Sequence, residues 1–214
     1  MKDIPIFTCE YGMATLILRE IPYRGEGYVL LRAVFSELLP LLRACVGFCR
    51  AAGAERVYFS GNDALSSYPR YACLRERSIA ADALPPTDAE AVPLKPEEAE
   101  RWAEQYRRRF CDVPAAQSCT SAFLKEVLSE REGYYVVRGG RTVGLGQLRG
   151  GELAALASLE RGAGRDVVCA LAKRLSTPQI RLVCAEENLP AMRLYDALGF
   201  ELGAVRECWY AADV

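Results

Sequence analysis

Six consecutive residues, Arg161, Gly162, Ala163, Gly164, Arg165 and Asp166, stand where the apolar pattern passes from a strand to a helix. A helix N-terminus presents backbone N–H groups without intrahelical partners and the positive end of the helix dipole. Glycines let an anion approach that backbone closely, and flanking arginines add charge. These residue types in this order suit a diphosphate; they also suit a plain turn into a helix. The segment is not a Walker loop, because Gly-Lys-Ser/Thr is missing. Gly144 and Gly146 lie inside a strand pattern without a third glycine, so they read as a place of close backbone packing and not as a dinucleotide fingerprint.

A second group runs from Asn188 to Phe200. Asn188 caps a helix, Pro190 sits in its first turn and Gly199 ends it. Ala191, Leu194 and Leu198 form the inward face. Tyr195 lies two turns from Asn188 and on the same side of the helix. The plain reading is a well-capped helix with a half-buried tyrosine.

The chain has no histidine. Ser-His-Asp and Cys-His catalysis, His-bearing zinc and haem sites, and a histidine proton shuttle are therefore excluded. Any general base must be Glu, Asp, Lys, Tyr, Cys or a water relay. The nine cysteines are scattered, with no CxxC pair. Cys45 and Cys49 stand at i,i+4 on a helix and could be half a metal site, but no second pair has ligand spacing. They read as small buried hydrophobes in a reducing cytosol, and no metal is expected.

The elements that must position these groups follow from periodicity. Helices are predicted over 97–109 and 121–131, and strands over 134–138, 142–148 and 152–156, with Gly139-Gly140 and Gly150-Gly151 as hairpin turns. After the glycine loop come a helix over 165–175, a strand over Gln179–Ala185, the helix Leu189–Leu198, and two short strands at 200–202 and 206–211. The first part predicts strands over 6–10, 14–21 and 28–34 joined by turns at 11–12 and 23–27, a helix over 38–52, and a strand over Arg56–Ser60. The shared order suggests an internal duplication; chance recurrence in an αβ mixture is the alternative. A Pro-rich segment, 83–96, separates the parts and holds a short strand near 89–94.

With 51% hydrophobic and 26% charged residues, the composition is that of a soluble globule with a substantial core. The net charge is −1, and neither part is a basic block, so no nucleic-acid or membrane partner is expected. No apolar run reaches membrane-spanning length and no signal peptide is seen, so a cytoplasmic location is expected.

The helix from Asn188 and the glycine loop together resemble the GNAT superfamily of N-acetyltransferases. The pattern N-x-x-A-x-x-L-Y-x-x-L-G-F is matched throughout by Asn188, Ala191, Leu194, Tyr195, Leu198, Gly199 and Phe200. The loop follows Arg/Gln-x-x-Gly-x-Gly/Ala through Arg161 and Gly164, and departs from it at Asp166. A carboxylate beside a pyrophosphate costs Coulomb energy, unless it points sideways and caps its own helix. The resemblance implies an α/β (α+β) fold: a mixed twisted sheet flanked by helices over 88–214, preceded by a smaller, degenerate GNAT-like half over 1–84, with 85–96 as linker and first strand.

The resemblance further implies an acyl-CoA-dependent N-acyltransferase, using acetyl-CoA as co-substrate and a small-molecule or peptide amine as acceptor. Acyl-CoA would lie between the strands 152–156 and Gln179–Ala185. Its pyrophosphate would rest on Arg161, Gly162, Ala163, Gly164, Arg165 and Asp166. The backbone N–H near Leu156 would polarise the thioester, Asn188 would meet the pantetheine arm, and Tyr195 would protonate the departing thiolate. Glu152 is the candidate for deprotonating the amine; its other reading is an exposed strand-end carboxylate. The alternative function is a non-catalytic CoA-binding or partner-binding protein of the same fold.

Overall fold

The computed structural model describes residues 2–212, which form two compact units. One holds the residues up to Cys73 and those from Glu207 onward; the other is Leu74–Arg206.

The first unit contains β1 (Ile4–Cys9), β2 (Gly12–Ile17), a single turn α1 (Ile21–Arg24), β3 (Glu26–Val34), α2 (Leu38–Ala51) and β4 (Arg56–Ser60). β1, β2 and β3 are antiparallel, β3 and β4 are parallel, and β4 meets the end of β11 (Glu201–Ala211) antiparallel. Helix α2 forms because Leu41, Leu42, Cys45, Val46 and Cys49 recur on one face, and that face is buried on Leu16, Val29, Leu31 and Phe59 of the strands. Cys45 and Cys49 are thus core residues, and burial pushes their thiols up to about 12 and about 11. The predicted turn at 23–27 holds the last residues of α1 and its left-handed cap Gly25.

Strand β5 (Arg70–Ala80) begins in the first unit and ends in the second. The second unit continues with β6 (Glu90–Pro93), α3 (Ala99–Phe110), α4 (Ser121–Ser129), β7 (Gly133–Arg138), β8 (Arg141–Arg149), β9 (Glu152–Ser158), α5 (Gly164–Ala172), β10 (Gln179–Ala185) and α6 (Leu189–Leu198). Its sheet is mixed: β6–β7–β8–β9 antiparallel, β9–β10 parallel, β10–β5 antiparallel. Both Gly-Gly turns have positive φ at both residues, as a primed hairpin turn requires. Helices cover both faces: Trp102, Tyr106, Phe123 and Val127 of α3 and α4 on one, Val167, Val168 and Leu171 of α5 with Tyr195 of α6 on the other.

Three expectations are corrected. β5 was not predicted, because Arg75, Glu76 and Arg77 interrupt its apolar alternation; it pairs with β10 over that strand's whole length. The two short C-terminal strands are one, β11, which Gly203 does not break. Cys73 and Cys208 are bonded as a disulfide rather than being separate thiols, because β5 and β11 are neighbours and bring their Cα atoms to 4.1 Å. The Pro-rich segment lies inside the second unit; the units divide at Cys73/Leu74 and Arg206/Glu207, within β5 and β11. Among the described residues, no helix is long and apolar enough to cross a membrane.

Candidate active site

The cleft begins with a defect in one strand. Gln147 pairs with Ala155, and Leu148 with Leu153, so Ala154 is one residue too many on β9. Such a bulge reverses which way the following side chains point and increases local twist. Before it, Leu153 packs with α5 and α6; after it, Ala155 and Ala157 join the cluster under α3 and α4. Beyond the bulge β9 leaves β10: their parallel ladder holds only at Leu153 and Leu182. In the first unit the parallel neighbours β3 and β4 stay paired over five positions, Glu26–Arg56 to Leu30–Ser60.

Two adjoining cavities of about 230 Å³ each occupy the opening. Leu156, Asn188 and Tyr195 line both. One extends past Gly164, Val167 and Leu194 toward the start of α5; the other extends under the segment 113–117, toward Gln147 and Arg149. Ala115 in that segment has φ +55, a conformation L-residues rarely adopt, and such positions concentrate at functional loops.

The loop before α5 forms as its glycines predict. Gly162 has φ +83, Ala163 is the buried N-cap, and α5 opens at Gly164. The N–H groups of Gly164, Arg165 and Asp166 are the first of the helix and have no intrahelical carbonyl to reach. The side chains of Arg161 and Arg165 are exposed around them. A Cβ on Gly164 would stand 2.8 Å from Leu194 Cδ2, so glycine is what lets α5 lie against α6. Asp166 turns sideways: its carboxylate is ion-paired with Arg138 and accepts a 2.7 Å hydrogen bond from Thr87 Oγ1.

Asn188 caps α6 as expected, accepting from the Ala191 amide at 3.4 Å, and Gly199 closes the helix in the left-handed conformation. Tyr195 is 6% exposed and packs on Phe200 at 5.4 Å between ring centres. Its hydroxyl has no partner among the described residues. Burial pushes the phenol above its ordinary range, so it stays protonated at neutral pH.

Of the predicted site residues, Leu156, Gly164, Asn188 and Tyr195 line the cavities, the rest of the loop 161–166 stands around the start of α5, and Glu152 lies apart from both. It stands before the bulge, at the paired end of β9 and β10, and lines a separate depression with Glu76, Gln179, Arg181 and Arg206. Neither cleft cavity is lined by a carboxylate among the described residues.

Two further residues line the cleft, Arg109 and Gln147, and a third, Arg77, lies outside it and holds α6 in place. Arg77 of β5 is 2% exposed and clamps α6: Nη1 donates to Asp196 Oδ1 at 2.5 Å and to the Phe200 carbonyl at 3.3 Å. Arg109 of α3 donates to the Leu159 carbonyl at 2.9 Å and lines the cavity at the α5 end. Gln147 of β8 is buried at the other end. None of the three carries a signal in the sequence: the charged run Arg75–Arg77 hides the strand that positions Arg77.

Residues 144–210 match the family model described as FR47-like protein. No curated protein matches the sequence. Among solved structures, the chain is similar to a GCN5-related N-acetyltransferase from Sphaerobacter thermophilus, at 17% identity and TM-score 0.57, over 94% of this chain and 75% of that one. It is similar to a putative acetyltransferase from Pyrococcus horikoshii at 13% identity and TM-score 0.58, over 95% and 70%. It is also similar to a tandem GNAT protein from the clavulanic acid biosynthesis pathway at 15% identity and TM-score 0.55, over 94% and 78%. The protein thus has the mixed-sheet fold of the acetyltransferases. The family-model match covers β8 to β11, which include the bulged strand, the glycine loop and α6 of the cleft.

Proposed function

We propose that the protein is an acyl-CoA-dependent N-acyltransferase, with acetyl-CoA as donor and a primary amine as acceptor. The observation that carries this reading is the position of Tyr195, buried, protonated and lining both cavities where β9 and β10 part. The pyrophosphate rests on the N–H groups of Gly164, Arg165 and Asp166, with Gly162 and Ala163 shaping the approach and Arg161 and Arg165 supplying charge. The Leu156 N–H polarises the thioester carbonyl. Asn188 spends its side-chain oxygen on the cap, which leaves its NH₂ group to meet a pantetheine carbonyl.

The amine nitrogen then attacks the carbonyl carbon, the C–S bond breaks, and the Tyr195 hydroxyl gives its proton to the sulfur. The amine loses its proton to water, since no lining carboxylate is placed to take it. Referred to total amine, kcat/KM is accordingly expected to rise about tenfold per pH unit up to the acceptor's own pKa, with no enzymic limb near ordinary carboxylate values of about 4. A limb there in the pH–rate profile would assign a base that the cleft lacks.

We read the first unit as a degenerate copy of the second, with its cofactor cleft closed by the continuous β3–β4 ladder and no glycine loop before α2. The non-catalytic alternative drew on a carboxylate facing the phosphates. Asp166 faces Arg138 and Thr87 instead, which takes that support away.

The cradle is tested by charge reversal. Arg161 and Arg165 are exposed, so R161E/R165E is expected to leave the melting temperature unchanged and to weaken acetyl-CoA binding at least about tenfold, or about 1.4 kcal/mol, by calorimetry. Asp166→Asn in the same titration is expected to change affinity by less than about twofold, under about 0.5 kcal/mol. Unchanged binding in the double variant would move the diphosphate away from this loop.

A further inference from the structure

The cavity under the segment 113–117 is walled mainly by apolar side chains, among them Phe110, Val113, Leu153 and Val183. Its polar lining comes from Gln117, Gln147, Arg149, Asn188 and Tyr195, of which Gln147 is the most deeply buried amide. This side chain is 2% exposed, and its Nε2 donates to Glu132 Oε2 at 2.7 Å. A carboxylate only accepts hydrogen bonds, so Glu132 dictates the orientation of the amide: NH₂ toward Glu132, carbonyl oxygen away from it. That oxygen accepts no bond from the protein among the described residues. Glu132 is itself held by Arg149, whose Nε lies 3.3 Å from the same oxygen, while Arg149 Nη2 lies 3.3 Å from Glu126.

We infer that Gln147 is the residue that recognises the acceptor, its pinned carbonyl oxygen taking an N–H of a primary amine carried on a compact apolar body, with Glu132 as the positioning residue that fixes the amide. This rests on the reading of the cleft as an acyltransferase site and names its acceptor class. An oxygen with no alternative orientation is a specific partner for a donor. A buried acceptor left unmatched costs free energy, so the site favours a ligand bearing an N–H over an isosteric hydrocarbon. The apolar walls hold the body of the molecule. Gln147 lies on β8 opposite Ala155, immediately after the bulge, which places it on the α3–α4 side of the sheet and away from the α5 cradle.

The test separates amine recognition from turnover. 2-Phenylethylamine is titrated into CoA-saturated protein and its binding followed by ligand-observed NMR, for wild type, Gln147→Leu and Glu132→Gln. CoA affinity and melting curves are measured on the same samples. Gln147→Leu is expected to weaken amine binding at least about tenfold while changing CoA affinity by less than about twofold. Glu132→Gln, which lets the amide turn over, is expected to fall between the two; it also decides the matter if Gln147→Leu does not fold. Equal amine binding by wild type and both variants overturns the inference, as does wild type that binds no amine. Amine binding that depends on Gln147 in a protein that transfers no acyl group upholds the recognition role and removes the catalytic reading instead.

Discussion

Tyr195→Phe is expected to lower kcat by about 10² or more while leaving acyl-CoA affinity within a few-fold, because general-acid losses commonly have that size. The substitution keeps the ring that packs on Phe200 and fills the wall between the two cavities, and removes only the hydroxyl. CoA thiolate, with a thiol pKa near about 8.5, is a moderate leaving group, so some turnover persists without a donor. Burial raises the phenol's pKa, so wild type keeps its acid form throughout the neutral range and the defect should not vanish between about pH 6 and pH 9. Melting temperature should change little, since the hydroxyl has no protein partner among the described residues to lose. Steady-state thiol release by both proteins is the measurement. A variant that turns over at the wild-type rate makes Tyr195 a packing residue.

The second large effect is expected at Gly144. A Cβ there would collide with Val167 Cγ2 of α5 and stand 3.0 Å from the Ala157 carbonyl oxygen. Gly146 meets Leu171 in the same way, so the two glycines form the seat of α5 on the sheet. Gly144→Val should therefore cost about 3 kcal/mol, at the upper end of overpacking effects, and lower the melting temperature by roughly 6–12 °C in a chain of this size. Because it lifts the helix whose first N–H groups make the cradle, acyl-CoA affinity should fall with it. Gly47 is the contrast. It lies inside α2 on an exposed face, and a Cβ there meets nothing within 4 Å. Gly47→Ala should stabilise by about 0.5–1 kcal/mol through helix propensity. Thermal denaturation of the two variants against wild type measures both.

The glycine pair shows what kind of feature was legible in the sequence. Close packing was readable because two glycines in a strand pattern have few other uses. The cap at Asn188, the stop at Gly199 and the entry at Gly162 were readable for the same reason: each is a local backbone requirement met by one residue type. The parallel pairing of β9 with β10 followed from the crossover through α5. What was not legible depends on neighbours distant in sequence. Arg77 sits in a core position that an apolar residue would ordinarily fill, and it is tolerated because Asp196, more than a hundred residues away, supplies its counter-charge. The direction of Asp166 is set by Arg138 and Thr87. Glu152 stands at the start of its strand as read, but the cleft opens at the other end, because the bulge at Ala154 leaves no mark in the sequence. The Cys73–Cys208 bond joins residues 135 apart, with nothing in their spacing to announce it.

The most direct measurement is thiol release from acetyl-CoA by the wild-type protein across a panel of primary amines, with calorimetric titration of acetyl-CoA into the same preparation. The result expected is saturable acetyl-CoA binding, and free CoA thiol that appears only when an amine is present and matches the N-acetylated product mole for mole. Absence of acyl-CoA binding would contradict the placement of the donor between β9 and β10, whatever else the protein does.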